Sequence, residues 1–250
     1  MADEHTVLAV IPARWGSSRF PGKVLAPLAG RPLLLHVLDR VARAERVDTV
    51  LVATEDERVA DVVREAGFEA TLTRPDHPSG SDRIAEAMAG RPGEIILNVQ
   101  GDEPLVDPGA LDSLIDALVV SGAGSATLAV RESDPVVAAD PNVVKVVLGS
   151  DSGAMYFSRA PIPGSHPGRK AGAGWLRHLG VYAWRRDAFA AFTSSGVSPL
   201  EEREGLEQLR YLENGGRMVV HVVDHASPGV DTPEDLARCE ALLAQAGGEV

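Results

Sequence analysis

Residues 7–41 read VLAVIPARWGSSRFPGKVLAPLAGRPLLLHVLDRV, and this stretch decides the fold. Val7 to Ala13 is an apolar run too short for a helix and rich in β-branched residues, so it reads as a buried strand. A polar loop follows, placing Arg14, Ser17, Ser18, Arg19 and Lys23 among Gly16, Pro21 and Gly22. Beyond it Leu34, Val37, Leu38 and Val41 recur at helical spacing, with Pro32 where a first-turn proline is tolerated. Cations and hydroxyls therefore stand where a strand hands over to a helix, a place suited to phosphates. The loop lacks both the Gly-Lys-Ser/Thr of a P-loop and the G-x-G-x-x-G of a dinucleotide site. Arginine and lysine side chains must do much of what backbone amides do in those motifs; a solvated basic loop is the competing reading.

Working outward, the same unit repeats. Asp48 to Ala53 reads as a second strand, followed by Thr54, Glu55 and Asp56 as candidate caps for a helix from Glu57 to Ala66 that Gly67 stops. Phe68 to Leu72 is a short strand, TRPDHPSGSDR a second polar loop, and Ile84 to Ala89 a helix. Glu94 to Val99 is a further buried strand, with QGDEPLVDP at its carboxyl end and a helix from about Gly109 to Val120 behind it. This alternation predicts an α/β, Rossmann-like fold with a mostly parallel central sheet and ligands beyond the carboxyl ends of its strands.

From Arg131 the pattern changes. Strands at Val143 to Leu148 and Ala154 to Ser158 flank a GSDSG turn, which reads as a hairpin. GSHPGRKAGAGW is a loop by composition, RHLGVYAW a strand and RRDAFAAF a short helix. SPLEEREGLEQLRYLENG reads as one helix opened by Ser198 and Pro199 and closed by Asn214 and Gly215. Met218 to Val223 is a strand, and Thr232 to Ala246 a last helix capped by Asp231 or Thr232. The expected organisation is a single domain over residues 1–250 with a small β-rich lobe inserted at 131–185.

Composition narrows the partners. With 250 residues, 44% hydrophobic and 24% charged, the chain has the makings of a sizeable core. A net charge of −12 disfavours nucleic acid and anionic membranes, so phosphate chemistry must rest on local cations. The single cysteine, Cys239, falls in a helical pattern, and one cysteine cannot form an intrachain disulfide. MADEHT leads straight into the first strand without a signal or transit pattern, and no apolar run is long enough to span a bilayer. The expected compartment is the cytoplasm.

Asp102, in NVQGDEP, and Asp231, in GVDTPEDL, are the carboxylates to weigh. Either can be read as a turn or cap residue, and Asp231 with Glu234 three positions later is a ready N-cap. The wording of the chain shifts that balance. IPAR followed by SSRFPGK resembles the nucleotide-binding signature of the sugar-acid cytidylyltransferases, above all the 3-deoxy-manno-octulosonate (KDO) cytidylyltransferase, or CMP-KDO synthetase, family. NVQGDEP, RPDHPSGSDR, PNVVKVV, YFSRAPIP, RHLGVYAWR, SPLEEREGLEQLRYLENG and GVDTPEDL follow in that family's order, so the resemblance covers nearly the whole chain. In the second loop Ser81 stands where the family's usual text has threonine.

The resemblance implies a Rossmann-like nucleotidyltransferase that moves CMP from CTP to an acidic acceptor and releases pyrophosphate. It implies Mg²⁺ on Asp102 and Asp231, with Arg14, Lys23 and Asp102 as the catalytic group. The nucleotide would be held by Ala13, Arg14, Ser18, Arg19, Lys23, Arg74, Ser79, Gly80, Arg83 and Gln100. Gln100, Arg159, His178, Tyr182, Glu207 and Gln208 would line the acceptor site, and the 131–185 lobe would add acceptor and dimer contacts, making the protein a homodimer. The partners are then CTP and a small anionic acceptor, without nucleic acid or membrane.

One departure bears on the acceptor. Between YFSRAPIP and RHLGVYAW the chain has only GSHPGRKAGAGWL, shorter than the family leads one to expect and basic through Arg169 and Lys170. A shortened loop is tolerated on a surface, and equally suits a smaller or more anionic acceptor. The same chemistry on a small phosphonate such as phosphonoformate is therefore the alternative. Two further readings are a nucleotidyltransferase of another base specificity, separable by pyrophosphate release with each of the four nucleotides, and a non-catalytic nucleotide-binding paralogue. The last would be expected to have lost a metal carboxylate or the loop lysine, and this chain retains both.

Overall fold

The computed structural model describes residues 5–16, 20–166 and 174–246. Along the chain, strand β1 (Val7–Pro12) leads through the basic loop and a 3-10 turn at Lys23–Leu25 to a two-stranded ribbon, β2 (Pro27–Leu28) and β3 (Arg31–Pro32), and then helix α1 (Leu33–Val41). There follow β4 (Thr49–Thr54), α2 (Glu57–Glu65), β5 (Glu69–Leu72), α3 (Gly80–Ala87), β6 (Ile95–Asn98) and α4 (Pro108–Ser121). Next come β7 (Ser125–Glu132), α5 (Pro135–Ala139), β8 (Lys145–Leu148), β9 (Ala154–Ser158), β10 (Trp175–Arg185) and α6 (Arg186–Ser194). The chain ends with α7 (Pro199–Glu204), α8 (Gln208–Glu213), β11 (Met218–Val223) and α9 (Pro233–Ala246).

The chain divides into two compact units, residues 1–112 with 227–250, and residues 113–226. In the first, β1 lies between β6 and β4, and β5 adds to β4, all parallel; Leu8 pairs with both Thr49 and Ile96. Every residue of β1 is buried, as a strand covered on both faces requires. The α1 stripe predicted from spacing is buried as well: Leu34, Val37, Leu38 and Val41 are all at 0% exposure. Each such side chain contributes about 1.5–3 kcal/mol of transfer free energy. Pro32 sits at the cap position, one residue before α1. Cys239 is buried on α9, its thiol 3.7 Å from the Pro228 carbonyl, and burial pushes its pKa up.

Two helix starts are capped by side chains. Asp56 closes the start of α2, accepting from the Arg58 backbone N–H at 3.0 Å. Ser79 opens α3 by accepting from the Asp82 N–H, so that helix starts four residues before Ile84. Gly101, just past β6, lies so close to β1 that a Cβ would come within 3.0 Å of the Pro12 carbonyl oxygen.

The second unit holds the expected hairpin, β8 against β9, antiparallel from Lys145↔Ser158 to Leu148↔Ala154. Strand β10 is antiparallel to both β7 and β8, while β11 runs parallel to β7. The pairing of β10 with β7 slips between Leu179 and Tyr182, inserting Gly180 and Val181 as a bulge. The single helix expected over 198–215 is two helices. Ser198 and Glu201 form a capping box at α7, and Gly205 then takes a left-handed φ of 62° that ends it before α8 begins. Arg210 of α8 returns to Glu201 through two bonds of 2.7 Å, locking the broken pair. Among the described residues no helix is long and apolar enough to cross a membrane.

Candidate active site

In the first unit, three segments distant in sequence meet at one ammonium group. Lys23, in the 3-10 turn after the basic loop, donates from Nζ to Asp102 at 2.5 Å, to Asp231 at 3.0 Å and to the Val230 carbonyl at 3.0 Å. Backbone geometry brings them together: the Val230 N–H donates to the Asp102 carbonyl at 2.8 Å, laying the segment before α9 along the turn after β6. Lys23 is 9% exposed. Burial opposes its charge, but the Asp102 and Asp231 carboxylates outweigh that and hold its pKa above the usual lysine value.

The Asp231 carboxylate meets Lys23 while the cap of α9 is made by other residues. Thr232 Oγ1 accepts from the Asp235 N–H, and the Asp235 carboxylate accepts from the N–H groups of Asp231 and Thr232. The Asp231–Glu234 cap open to the sequence is therefore replaced by Thr232 with Asp235, and the Asp231 carboxylate faces Lys23 instead.

The second polar loop is stitched to α3. Glu86 accepts from the Arg74 backbone N–H at 3.1 Å, from Arg74 Nε at 3.2 Å and sits 2.5 Å from His77 Nε2. Arg83 is 1% exposed. Its Nη1 donates to Thr73 Oγ1 and to the Arg74 carbonyl, while Nε and Nη2 are buried without a hydrogen-bond partner. Burial pulls this guanidinium below its ordinary pKa, Glu55 pulls it back up, and Arg14 adds to the lowering. Glu55 accepts from the Trp15 backbone N–H at 2.9 Å and lies 3.1 Å from Arg83, so it ties the first loop to the second. Arg58 covers Trp15 with its guanidinium 3.7 Å from the ring centroid.

Of the nucleotide-side residues, Ala13 is buried at the end of β1, bonded to the Ala53 carbonyl, and Arg14 is exposed beside it. Ser79 and Gly80 open α3, with Gly80 near Pro12, and the Gln100 amide reaches Asn98 at 3.2 Å. Ser18 and Arg19 lie outside the described residues, as do Arg169 and Lys170.

In the second unit, Arg159 spends three of its five N–H donors on backbone: Nε on the Glu204 carbonyl, Nη1 on Pro141 and Nη2 on Gly205. The fully buried Lys145 does likewise, donating to the carbonyls of Asp140, Val143 and Arg159. Glu204 accepts from Ser158 Oγ, the Arg159 N–H and the Tyr156 hydroxyl. These charges shape the loops around Arg159. His178 lies on β10 with its ring centroid 4.8 Å from Phe157 and 5.5 Å from Tyr182. Burial pushes its pKa down to about 3, so the ring is neutral at physiological pH. Glu207 stands at the residue preceding α8, and Gln208 is buried with its Nε2 lacking a partner.

Sequence reasoning did not single out Glu55, Glu86, Lys145 or Glu204 for these contacts. Glu86 sits just beyond RPDHPSGSDR, Lys145 inside PNVVKVV and Glu204 inside SPLEEREGLEQLRYLENG, a proximity that could have flagged them. Glu55 carries no local signal.

Donor chemistry decides whether Mg²⁺ suits the first site. Mg²⁺ takes one or two carboxylates and completes its octahedron with water and substrate phosphate. Asp102 and Asp231, converging on one cation 2.5 and 3.0 Å away, are such a set. Among the described residues no group of three or more His, Cys, Asp or Glu could hold a metal ion by itself, so substrate phosphates would have to complete the shell.

A family profile described as Cytidylyltransferase matches residues 8–222. A 3-deoxy-manno-octulosonate cytidylyltransferase of Solibacter usitatus is 46% identical over 238 residues, covering 95% of this chain and 94% of the relative. One from Anaeromyxobacter sp. (strain K) is 47% identical over 244 residues, covering 95% and 98%. Among solved structures, a CMP:2-keto-3-deoxy-manno-octonic acid synthetase complexed with CTP superposes with a TM-score of 0.92 at 40% identity, covering 96% of this chain and 99% of the other. A 4-diphosphocytidyl-2C-methyl-D-erythritol synthase from Anaerococcus prevotii, at 14% identity and a TM-score of 0.64, shares the fold.

Proposed function

Because the chain belongs to the cytidylyltransferase family, we propose that it transfers CMP from CTP to 3-deoxy-manno-octulosonate and releases pyrophosphate. The observation that carries this reading is the convergence of Asp102 and Asp231 on Lys23, which assembles the loop and both acidic motifs into one charge centre. The acceptor follows from relatives of that name matched over almost their whole length at 46–47% identity. The phosphonate alternative has only the basic, shortened loop behind it and is not favoured.

An acceptor hydroxyl oxygen attacks the α-phosphorus and gives up its proton to solvent, a P–O bond forms, and the bond from the α-phosphorus to the bridging oxygen breaks to release pyrophosphate. Mg²⁺ held by Asp102 and Asp231 would neutralise triphosphate charge and polarise the α-phosphate. Lys23, Arg14 and Arg19 would stabilise the charge on the leaving pyrophosphate. The unpaired, buried Nε and Nη2 of Arg83 call for an acceptor, and the carbonyls and hydroxyls of the Arg74–Arg83 loop suit a base bearing an exocyclic amine. Ala13, Ser18, Ser79, Gly80 and Gln100 complete the nucleotide side. Catalysis is then positioning and electrostatics, with no nucleophilic side chain.

Gln100, Arg159, His178, Tyr182, Glu207 and Gln208 are proposed to bind the sugar acid. The orphaned Gln208 Nε2 and the remaining N–H donors of Arg159 suit its carboxylate and hydroxyls. A cytoplasmic homodimer is part of the same proposal.

The test is pyrophosphate release with each of the four nucleoside triphosphates against KDO, other ulosonic acids and small phosphonates. Release with CTP and KDO alone is expected. Release with phosphonoformate but not KDO, or with another nucleotide, contradicts the proposal.

A further inference from the structure

Thr127, on β7, is fully buried opposite the bulge in β10. Its Oγ1 has three neighbours within hydrogen-bond distance: the Val181 carbonyl at 2.9 Å, the Leu179 carbonyl at 3.2 Å and His178 Nε2 at 3.0 Å. A hydroxyl owns one proton, and two of these neighbours can only accept. If the proton pointed at His178, two carbonyl oxygens would face a bare oxygen in a buried site. If it points at Val181, the Oγ1 lone pair is left to accept from His178 Nε2–H, and only the longer 3.2 Å contact to the Leu179 carbonyl goes without a full hydrogen bond. The bulge makes this possible, because the extra residues Gly180 and Val181 turn the Leu179 and Val181 carbonyls onto one hydroxyl.

We propose that Thr127 is a positioning residue for the sugar acid, acting through His178: it holds the proton on Nε2 and so presents Nδ1 as a hydrogen-bond acceptor for an acceptor-substrate hydroxyl. The inference rests on the reading of His178 as an acceptor ligand given above. Burial keeps the ring neutral, so one nitrogen must be bare, and Thr127 decides which. Phe157 and Tyr182, at 4.8 and 5.5 Å, pack the ring and oppose its rotation out of this register. A bare Nδ1 takes a hydroxyl and not a carboxylate, so the residue selects for the polyol part of the substrate.

The test combines the tautomer, read from the ¹⁵N shifts of His178 in uniformly labelled protein, with steady-state constants for Thr127→Val, Thr127→Ser and His178→Gln. The wild type is expected to show protonated Nε2 and bare Nδ1, as is Thr127→Ser with near wild-type kinetics. Thr127→Val is expected to lose the single tautomer and to raise KM for the sugar acid about tenfold, with KM for CTP within twofold. A wild-type His178 protonated on Nδ1, or a Thr127→Val protein with the wild-type tautomer, overturns the proposal. If His178→Gln raises KM for the sugar acid while Thr127→Val changes the tautomer without effect on KM, the proposal fails and the acceptor reading stands. If neither variant moves KM for the sugar acid, the acceptor reading of His178 fails, and the proposal with it. Should Thr127→Val not fold, the wild-type tautomer and Thr127→Ser still decide the matter.

Discussion

The Lys23 centre and the His178 centre handle polarity in opposite ways. At Lys23, two carboxylates and an ammonium are gathered at 2.5–3.0 Å, with Asp231 half-exposed, so charge is balanced by charge. At His178, a ring kept neutral at physiological pH packs against Phe157 and Tyr182 and lies within hydrogen-bond distance of one hydroxyl. The contrast matches the substrates proposed for the two centres. A triphosphate brings several negative charges that a cation can meet, whereas a sugar hydroxyl needs a fixed dipole and gains little from charge.

The largest effect should come from removing charge at the first centre. Asp102→Asn keeps the side-chain shape and a bond to Lys23 but halves the carboxylate pair, and kcat for pyrophosphate release should fall about 10³-fold with an unchanged thermal midpoint. Near-normal turnover would erase the distinction between the two centres.

The second centre should announce itself through pH. The folded His178 pKa of about 3 lies below the ordinary value of 6.5. As pH falls through 6.5 the unfolded chain takes up a proton that the native state refuses. The stability due to neutral His178 is therefore fully present above 6.5 and is lost progressively toward pH 3. Denaturant titrations between pH 6 and 4.5 should show a stability slope shallower in His178→Gln than in wild type, by up to about 1.4 kcal/mol per pH unit. Equal slopes would mean that the ring is not held neutral.

How much of this was legible in the sequence differs between the two centres. The parallel β–loop–α units showed in the hydrophobic runs, because a strand buried on both faces must be apolar throughout, as Val7–Pro12 is. Asp102, Asp231 and Lys23 were legible because each sits in a distinctive motif. What the sequence could not show is which competing local duty each residue escapes. Asp231 looks like a cap, yet Thr232 and Asp235 do that work, since side chains one residue apart at a helix start are nearly interchangeable by pattern. The break at Gly205 was hidden in a continuous helical pattern, because glycine inside a helix and glycine in a left-handed turn read alike until the Arg210–Glu201 pair closes. Thr127 was invisible for a stronger reason: its meaning depends on His178, 51 residues away, and on the bulge that follows it on a neighbouring strand.

The central claim, that Asp102 and Asp231 form a cation site completed by the nucleotide, is tested most directly by Mn²⁺ binding followed by electron paramagnetic resonance. In the presence of CTP, wild-type protein should bind the ion, and Asp102→Asn and Asp231→Asn should each weaken that binding at least tenfold while both stay folded. Mn²⁺ binding that is unchanged in both variants would contradict the account.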